Sequence, residues 1–215
     1  MSCSSARLAQ QIAFINEIEK LKLVYRRNRT IDQSRFENSA EHSWHLALMA
    51  MVLAEHANTP GLDIFTVVKM LLIHDLVEIY AGDTWLYDAA GALVQAEKEA
   101  WAAQQLFALL PADQAAEFHQ LWEAFVARAT PEATFAASLD ALQPLLNYLL
   151  SGSPGEPGDM LAEQDVLGRK QGIAQGSQTL WELAQDVIAA STARGLYAAG
   201  LHGRAPGDVE VVPLR

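Results

Sequence analysis

The segment Val67-Val-Lys-Met-Leu-Leu-Ile-His-Asp-Leu-Val-Glu78 is apolar nearly all round at its start and then carries three ionisable side chains. We predict that it lies in a helix over about residues 63–80, and a helix that is apolar on every side belongs in the centre of a bundle. His74, Asp75 and Glu78 are anomalous there, because burying a carboxylate without a partner is costly. A divalent cation would satisfy His74 and Asp75 together, and Glu78 projects near them one turn later. The alternative, taken from this segment alone, is a buried pair that hydrogen bonds satisfy.

Helical periodicity extends over most of the chain. Six further helices are predicted, at about residues 7–23, 38–56, 92–110, 112–128, 131–150 and 160–193. Asn38 and Glu41 have the spacing of a capping box, and the glycines at positions 168, 172 and 176 could break the last helix. The arginine-rich stretch over residues 26–35 is expected to be a loop. The pattern predicts an all-α, single-domain helical bundle over residues 1–199 and an irregular tail over residues 200–215.

The composition limits the partners that we expect. The chain has 215 residues, 51% of them apolar, and its 15 basic and 26 acidic side chains give a net charge of −11. This balance argues against binding to a nucleic acid polymer, which needs clustered Lys and Arg. No apolar stretch is long enough to cross a membrane, and Cys3 is the only cysteine. We therefore expect a cytoplasmic protein that has neither a nucleic acid polymer nor a membrane as its partner.

Two more ionisable residues share the character of the His74–Asp75 pair. His42 lies in the first turns of the helix that begins near Asn38. Asp140 stands in another core-like stretch, Phe135-Ala-Ala-Ser-Leu-Asp-Ala-Leu-Gln-Pro144. Pro144 cannot donate a hydrogen bond to the carbonyl of residue 140, so we expect a local kink that makes room for a ligand.

His42, His74–Asp75 and Asp140 follow one another on three predicted helices. This arrangement resembles the H…HD…D signature of the HD-domain superfamily of metal-dependent phosphohydrolases. The flanking sequences Arg35-Phe-Glu-Asn-Ser-Ala-Glu-His-Ser-Trp44 and His74-Asp-Leu-Val-Glu-Ile-Tyr-Ala-Gly-Asp-Thr84 are similar to those of its 5′-deoxynucleotidase subgroup. The resemblance covers about residues 21–150 and implies a helical bundle of the HD-domain type.

The resemblance also implies roles for individual residues. One divalent metal ion would be held by His42, His74, Asp75 and Asp140. Glu78 and Asp83 match the acid–base and substrate-orienting carboxylates of the family, and Arg27 matches its substrate-binding arginine. The sequence departs from the nucleotidases at two places: Asn28 stands where they carry tryptophan, and Thr134-Phe135 replaces a Lys-Phe pair.

The chemistry of these side chains suits phosphate ester hydrolysis. Two imidazoles and two carboxylates can hold Mn, Co, Fe, Ni, Zn or Mg, and such an ion lowers the pKa of a bound water molecule and neutralises phosphoryl charge. Glu78 or Asp83 could transfer the proton, although Glu78 could instead orient a metal ligand and Asp83 could belong to a turn. Arg27 or Arg35 could clamp the phosphate oxygens, with Arg26 and Arg29 equally within reach.

These features predict a small-molecule phosphate ester as the substrate. The leading hypothesis is hydrolysis of nucleoside 5′-monophosphates, deoxy forms first, to nucleoside and phosphate. The alternatives are hydrolysis of another phosphoester or of a nucleoside di- or triphosphate, and a regulatory module that binds a nucleotide or metal without turnover. We also expect the chain to form a homodimer.

Overall fold

The computed structural model describes residues 3–82, 89–153 and 160–199. Its helices are α1 Cys3–Ile18, α2 Ser39–Leu53, α3 Ile64–Ile73, α4 Glu78–Ala81, α5 Ala89–Phe107, α6 Ala112–Ala127, α7 Pro131–Ser151, α8 Glu163–Lys170, α9 Ile173–Gly176 and α10 Gln178–Ala193. Short 3-10 turns follow α1, α2 and α3, at Glu19–Leu23, Ala54–His56 and His74–Val77. The predicted all-α bundle is thus confirmed. The predicted tail at 200–215 lies outside the described residues, so the domain division at residue 199 stays a prediction.

The interior consists of two hydrophobic clusters. The larger cluster joins α2, α3, α7 and α10, with fully buried side chains that include Leu46, Leu71, Phe135, Leu142 and Ile188. The smaller joins α1, α5 and α6 through Phe14, Leu106, Phe107 and Trp122, and it includes Leu76 of the third 3-10 turn. The turn at His74–Val77 therefore lies where the two clusters meet. Within the described residues, no helix has both the length and the apolar character that crossing a bilayer requires.

A β-hairpin replaces most of the loop that was predicted between the first two helices. Strand β1, Tyr25–Arg29, pairs antiparallel with strand β2, Phe36–Asn38. Burial alternates along β1, so Arg26 and Asn28 are half-buried while their neighbours are exposed. The Asn28 side chain donates a hydrogen bond to the carbonyl of Pro144 at 3.1 Å, and this bond connects the hairpin to α7. The prediction of a loop was wrong, because a polar strand of this length lacks the β-branched pattern that normally identifies one.

The helix predicted over residues 63–80 is interrupted at the ionisable residues. The α-helical part ends at Ile73, and the chain then tightens into the 3-10 turn before α4 begins. The Nδ1 atom of His74 donates to the carbonyl oxygen of Leu71 at 2.8 Å. In a continuous α-helix that carbonyl would accept from the amide of Asp75, so the imidazole competes with the backbone for the same acceptor. Gly82 follows α4 with a φ of 77°, a left-handed conformation that favours glycine at the end of a helix.

The last predicted helix is broken into three pieces, α8, α9 and α10. At Gly176 an added Cβ atom would lie 2.4 Å from the Thr134 carbonyl and the Ser138 hydroxyl of α7, so only glycine permits this close approach. The Ser138 hydroxyl also lies 2.9 Å from the carbonyl oxygen of Ile173. This contact holds α9 on α7 and thereby positions α8, the helix that ends with Lys170.

Candidate metal centre and active site

Three elements bring His42, His74 and Asp140 together. Helix α2 begins with the predicted capping box, in which Asn38 and Glu41 bond each other's backbone amides, and His42 follows in its first turns, fully buried. His74 opens the 3-10 turn after α3, and Asp140 lies in the middle of α7. One ligand atom from each of the three residues falls within 4.8 Å of the others. The Nε2 atom of His42 lies 2.9 Å from Oδ1 of Asp140, and Nε2 of His74 lies 3.7 Å from that same oxygen.

Hydrogen bonds fix which nitrogen of each imidazole carries the proton. The Leu71 carbonyl can only accept, so Nδ1 of His74 is the donor. The Nδ1 atom of His42 lies 3.0 Å from Oε1 of Gln143. The amide nitrogen of Gln143 donates to Glu37 at 3.0 Å, which turns its oxygen toward His42. Both Nε2 atoms are therefore free of the ring proton in a neutral imidazole, and both face the carboxylate of Asp140.

Asp75 adjoins this group through one oxygen and is held through the other. Its Oδ1 lies 2.9 Å from Nε2 of His74, and its Oδ2 accepts from a terminal nitrogen of Arg26 at 3.0 Å. Arg26 also lies 3.9 Å from Glu37, measured from its Nε atom. This ion pair leaves the other oxygen of Asp75 directed toward His74, and Asp75 itself lies outside the group of three residues whose ligand atoms fall within 4.8 Å of one another.

The charges of the cluster shift the pKa values of its members. Burial lowers the pKa of His74, but the carboxylates of Asp75 and Asp140 outweigh it, and the pKa lies well above its usual range. Burial likewise raises the pKa of Asp140, yet the neighbouring imidazoles of His42 and His74 bring it well below the ordinary value. For Asp75, burial raises the pKa, but His74 and Arg26 outweigh burial, and the pKa lies below its ordinary value. These pKa shifts share one direction: the two carboxylates favour positive charge between them.

The residues fit a divalent metal ion. The Nε2 atom of His74 is buried and has no hydrogen-bond partner within the described residues, although carboxylate oxygens lie around it. Two imidazole nitrogens and carboxylate oxygens form a donor set that Mn, Co, Fe, Ni, Zn and Mg can all use. The other ring nitrogen of His74 bonds the carbonyl of Leu71, and that of His42 bonds the side-chain amide of Gln143. Metal-ligating histidines typically have such a bond at the nitrogen that does not bind the metal.

Glu78 lies beside the cluster, at the start of α4. Its side chain is buried, and its Oε2 accepts from the hydroxyl of Ser39 at 2.6 Å. The second predicted catalytic carboxylate, Asp83, lies outside the described residues. Its role stays a prediction.

A cavity of about 590 Å³ opens next to these residues. Asp75, Glu78 and Asp140 lie in its wall, together with Arg26, Arg27 and Lys170. Arg35 does not line this cavity; its guanidinium pairs with Glu41 on the surface, with nitrogen–oxygen distances of 2.6 and 2.8 Å. The structure therefore places Arg27, but not Arg35, where a phosphate group could enter.

Four residues near the site were not singled out from the sequence as part of it: Arg26, Glu37, Gln143 and Lys170. The sequence offers Arg26 only as an alternative to Arg27, because a polar strand such as β1 does not show its alternation in the sequence. Glu37 precedes the cap of α2, and Gln143 lies one turn after Asp140 on α7. A polar residue one turn from a metal ligand, inside an apolar helix, is the signal that could have identified Gln143.

Comparison with known proteins assigns the fold and site to a family. The family described as HD domain matches residues 18–181, which is most of the chain. The chain belongs to the HD domain family. The crystal structure of a predicted metal-dependent phosphohydrolase from Magnetospirillum magnetotacticum is similar to this HD-domain chain, with 44% identity and a TM-score of 0.79 over 90% of this chain and 99% of that one. A conserved hypothetical protein from Pyrococcus furiosus is 26% identical, with a TM-score of 0.58 over 82% of this chain and 98% of its own.

Several relatives of this HD-domain chain carry the name 5′-deoxynucleotidase HDDC2. The Xenopus laevis protein is 30% identical over 87% of this chain and 94% of its own length. The Bos taurus protein is 32% identical over 51% of this chain, and the match spans 52% of its own length. The predicted family and fold are confirmed, and these relatives support the predicted class of metal-dependent phosphohydrolase.

Proposed function

We propose that this chain is a metal-dependent phosphomonoesterase that hydrolyses deoxynucleoside 5′-monophosphates to nucleoside and phosphate. The observation that carries the proposal is the convergence of His42, His74 and Asp140 within 4.8 Å beside a cavity with arginines in its wall. Relatives named 5′-deoxynucleotidase support the choice of substrate. The cavity volume of about 590 Å³ is within the range of small-molecule sites.

In this proposal the cation would be held by His42, His74, Asp75 and Asp140. When bound, the ion would lower the pKa of a water molecule and neutralise charge on the phosphoryl oxygens. Arg26 keeps Asp75 in place through its bond to Oδ2. Arg27, at the exposed end of the cavity wall, binds an oxygen of the phosphate group.

Glu78 transfers the proton. Its carboxylate lies in the cavity wall and one oxygen is held by Ser39, so the side chain has a fixed direction. It removes a proton from the attacking water molecule, and the proton passes to the oxygen of the leaving nucleoside. The P–O bond to the nucleoside breaks as the bond from phosphorus to the water oxygen forms. Asp83 is proposed to assist in this transfer, as the family resemblance implies.

A phosphate-release assay tests the proposed function. The chelated protein is assayed with nucleoside mono-, di- and triphosphates, in ribo and deoxy forms, after addition of Mn, Co, Fe, Ni, Zn or Mg. We expect the highest activity on deoxynucleoside 5′-monophosphates, and loss of activity after chelation or in Asp75→Ala. Activity that survives either treatment would contradict the proposal. A preference for nucleoside di- or triphosphates would contradict the choice of monophosphates as the substrate.

Glu78→Gln separates an enzyme from a binding module. Loss of a proton-transferring group should reduce turnover by about a hundredfold or more and leave metal binding intact. Glu97→Gln, an exposed carboxylate on α5, is the matched control. Metal binding without turnover in the wild-type chain would favour the regulatory module.

We also infer that the chain forms a homodimer through an apolar face of α2. Trp44, Met51 and Val52 remain 62%, 64% and 71% exposed, and Leu48 lies between them at helical spacing. Exposed apolar patches of this kind mark interaction sites. Sedimentation equilibrium should show a dimer that Met51→Lys converts to a monomer, whereas a monomeric wild-type chain would contradict the inference.

A further inference from the structure

A buried lysine lies in the wall of the cavity. Lys170 ends α8 and is only 8% exposed. Its ammonium group donates to the carbonyl oxygen of Ala141 at 2.8 Å, and Ala141 directly follows Asp140 on α7. The packing of α9 on α7 fixes this position, because it sets where α8 ends.

The surroundings of Lys170 satisfy its charge incompletely. An ammonium group has three N–H donors, and within the described residues the Ala141 carbonyl is its hydrogen-bond partner. No carboxylate of the described residues lies within 4.0 Å of its nitrogen. Burial lowers the pKa of Lys170 to about 8, even though nearby Asp140 raises it. Burying a cation in this way is costly, so folding alone does not account for the residue.

The position of Lys170 points to an anionic ligand. Asp140, which we assign to the metal site, and Lys170 line one cavity, and Arg26 and Arg27 lie in the same wall. The chain as a whole carries a net charge of −11, so this concentration of cations is local. A phosphate group next to the metal would bring oxygens that can accept the unused donors of the ammonium.

We propose that Lys170 is a further substrate-binding residue, which holds a phosphate oxygen from the α8 side of the cavity. This inference rests on the proposed function only for the choice of a nucleotide as the substrate. The ligand that Lys170 itself requires is a phosphate group. Lys170 would bind the phosphate in both the ground state and the transition state. Its removal should then raise KM more than it lowers kcat.

Lys170→Met tests the proposal, because methionine keeps the aliphatic stem and removes the charge. We expect KM for the nucleotide to rise about tenfold or more, the scale of a charge-assisted hydrogen bond, with kcat within about threefold of wild type. The metal-loaded variant should also bind inorganic phosphate about tenfold more weakly in a calorimetric titration. Lys98→Met, an exposed lysine on α5, should match the wild type in both measurements.

Thermal unfolding distinguishes this role from a structural one. Removal of a buried charge should leave the Tm unchanged or raise it, and phosphate should raise the Tm of the wild type more than that of the variant. A lower Tm together with unchanged phosphate affinity would overturn the proposal and make Lys170 a structural partner of Ala141. Should Lys170→Met not fold, Lys170→Gln supplies the same comparison.

Phosphate titration also separates this inference from the proposed function. If the wild-type chain hydrolyses no nucleotide but binds phosphate, and Lys170→Met weakens that binding, the phosphate site stands and the nucleotidase assignment fails. If nucleotides are hydrolysed and the variant keeps the wild-type KM and phosphate affinity, the assignment stands and the role of Lys170 is refuted.

Discussion

Gln143 offers a sharp test of how the proposed metal ligands are held. Its side chain is 1% exposed and connects two buried groups: its oxygen lies 3.0 Å from Nδ1 of His42, and its nitrogen lies 3.0 Å from Glu37. Gln143→Leu keeps a similar volume and removes these two hydrogen bonds, together with a longer contact of 3.4 Å between the amide nitrogen and Nδ1 of His45. His42 would then lose the acceptor that directs its Nε2 atom toward the metal.

The expected magnitude follows from these two contacts. A metal-ligating histidine is oriented by the hydrogen bond at its other ring nitrogen, and loss of that bond weakens metal affinity by about ten- to a hundredfold. This factor corresponds to about 1.4–2.8 kcal/mol of binding free energy. The metal-free chain should also lose stability, because each buried group left without a partner costs about 1–3 kcal/mol. Gln143→Glu restores an acceptor for His42, with one proton shared between the new carboxyl group and Glu37, and should recover part of the metal affinity.

Calorimetric titration of the chelated protein with Mn or Zn measures the affinity directly. Nitrogen chemical shifts of the imidazole rings provide a second measurement, since wild-type His42 should carry its proton on Nδ1 and the leucine variant should show both tautomers. Gln120→Leu, an exposed glutamine on α6, is the control. A folded Gln143→Leu variant with metal affinity within twofold of wild type would refute the reasoning.

Three further predictions concern stability. Gly176→Ala should destabilise the chain by about 1–3 kcal/mol in urea unfolding, because its Cβ atom would lie 2.4 Å from the carbonyl oxygen of Thr134 on α7. Gly168→Ala, with nothing within 4 Å of the added atom, should stabilise the chain by about 0.5–1 kcal/mol. The pKa of Lys170 is about 8 in the folded chain, below its ordinary value in an unfolded chain. Above pH 8 the unfolded chain therefore binds more protons than the folded chain, and the free energy of unfolding of the chelated protein should rise up to about pH 10. This rise should be absent in Lys170→Met. A metal ion at a hundred times its Kd should stabilise the folded chain by about 2.7 kcal/mol, seen as a higher Tm that chelation reverses.

Local signals in the sequence located the helices well. The capping residues Asn38 and Glu41 act on the backbone nearest to them, so they can be recognised without the fold. The candidate metal ligands were visible for a related reason. Ionisable side chains in otherwise apolar helices need a partner, and that requirement holds before the partner is known.

Features that depend on contacts between distant segments could not be predicted in the same way. Strand β1 has an arginine-rich sequence, and its pairing with β2 and its bond to Pro144 are long-range. The choice between Arg26 and Arg27 depends on this strand, because alternation turns Arg26 inward to Asp75. The burial of Lys170 depends on the break before α9, which the sequence only allowed as an alternative.

The site lies at the boundary between the two hydrophobic clusters, and this position explains how a polar group of residues is accommodated inside the bundle. The His74 ring packs against Phe125 of the larger cluster, with ring centroids 4.8 Å apart, while Leu76 two residues later belongs to the smaller one. Around this boundary, Asp75 is connected to His42 through the half-buried Arg26 and the buried Glu37 and Gln143. Such a network is unfavourable without its cation and rigid with it. A metal ion bound there would therefore join the two clusters as well as serve the reaction, which ties the stability of this fold to the occupancy of its candidate active site.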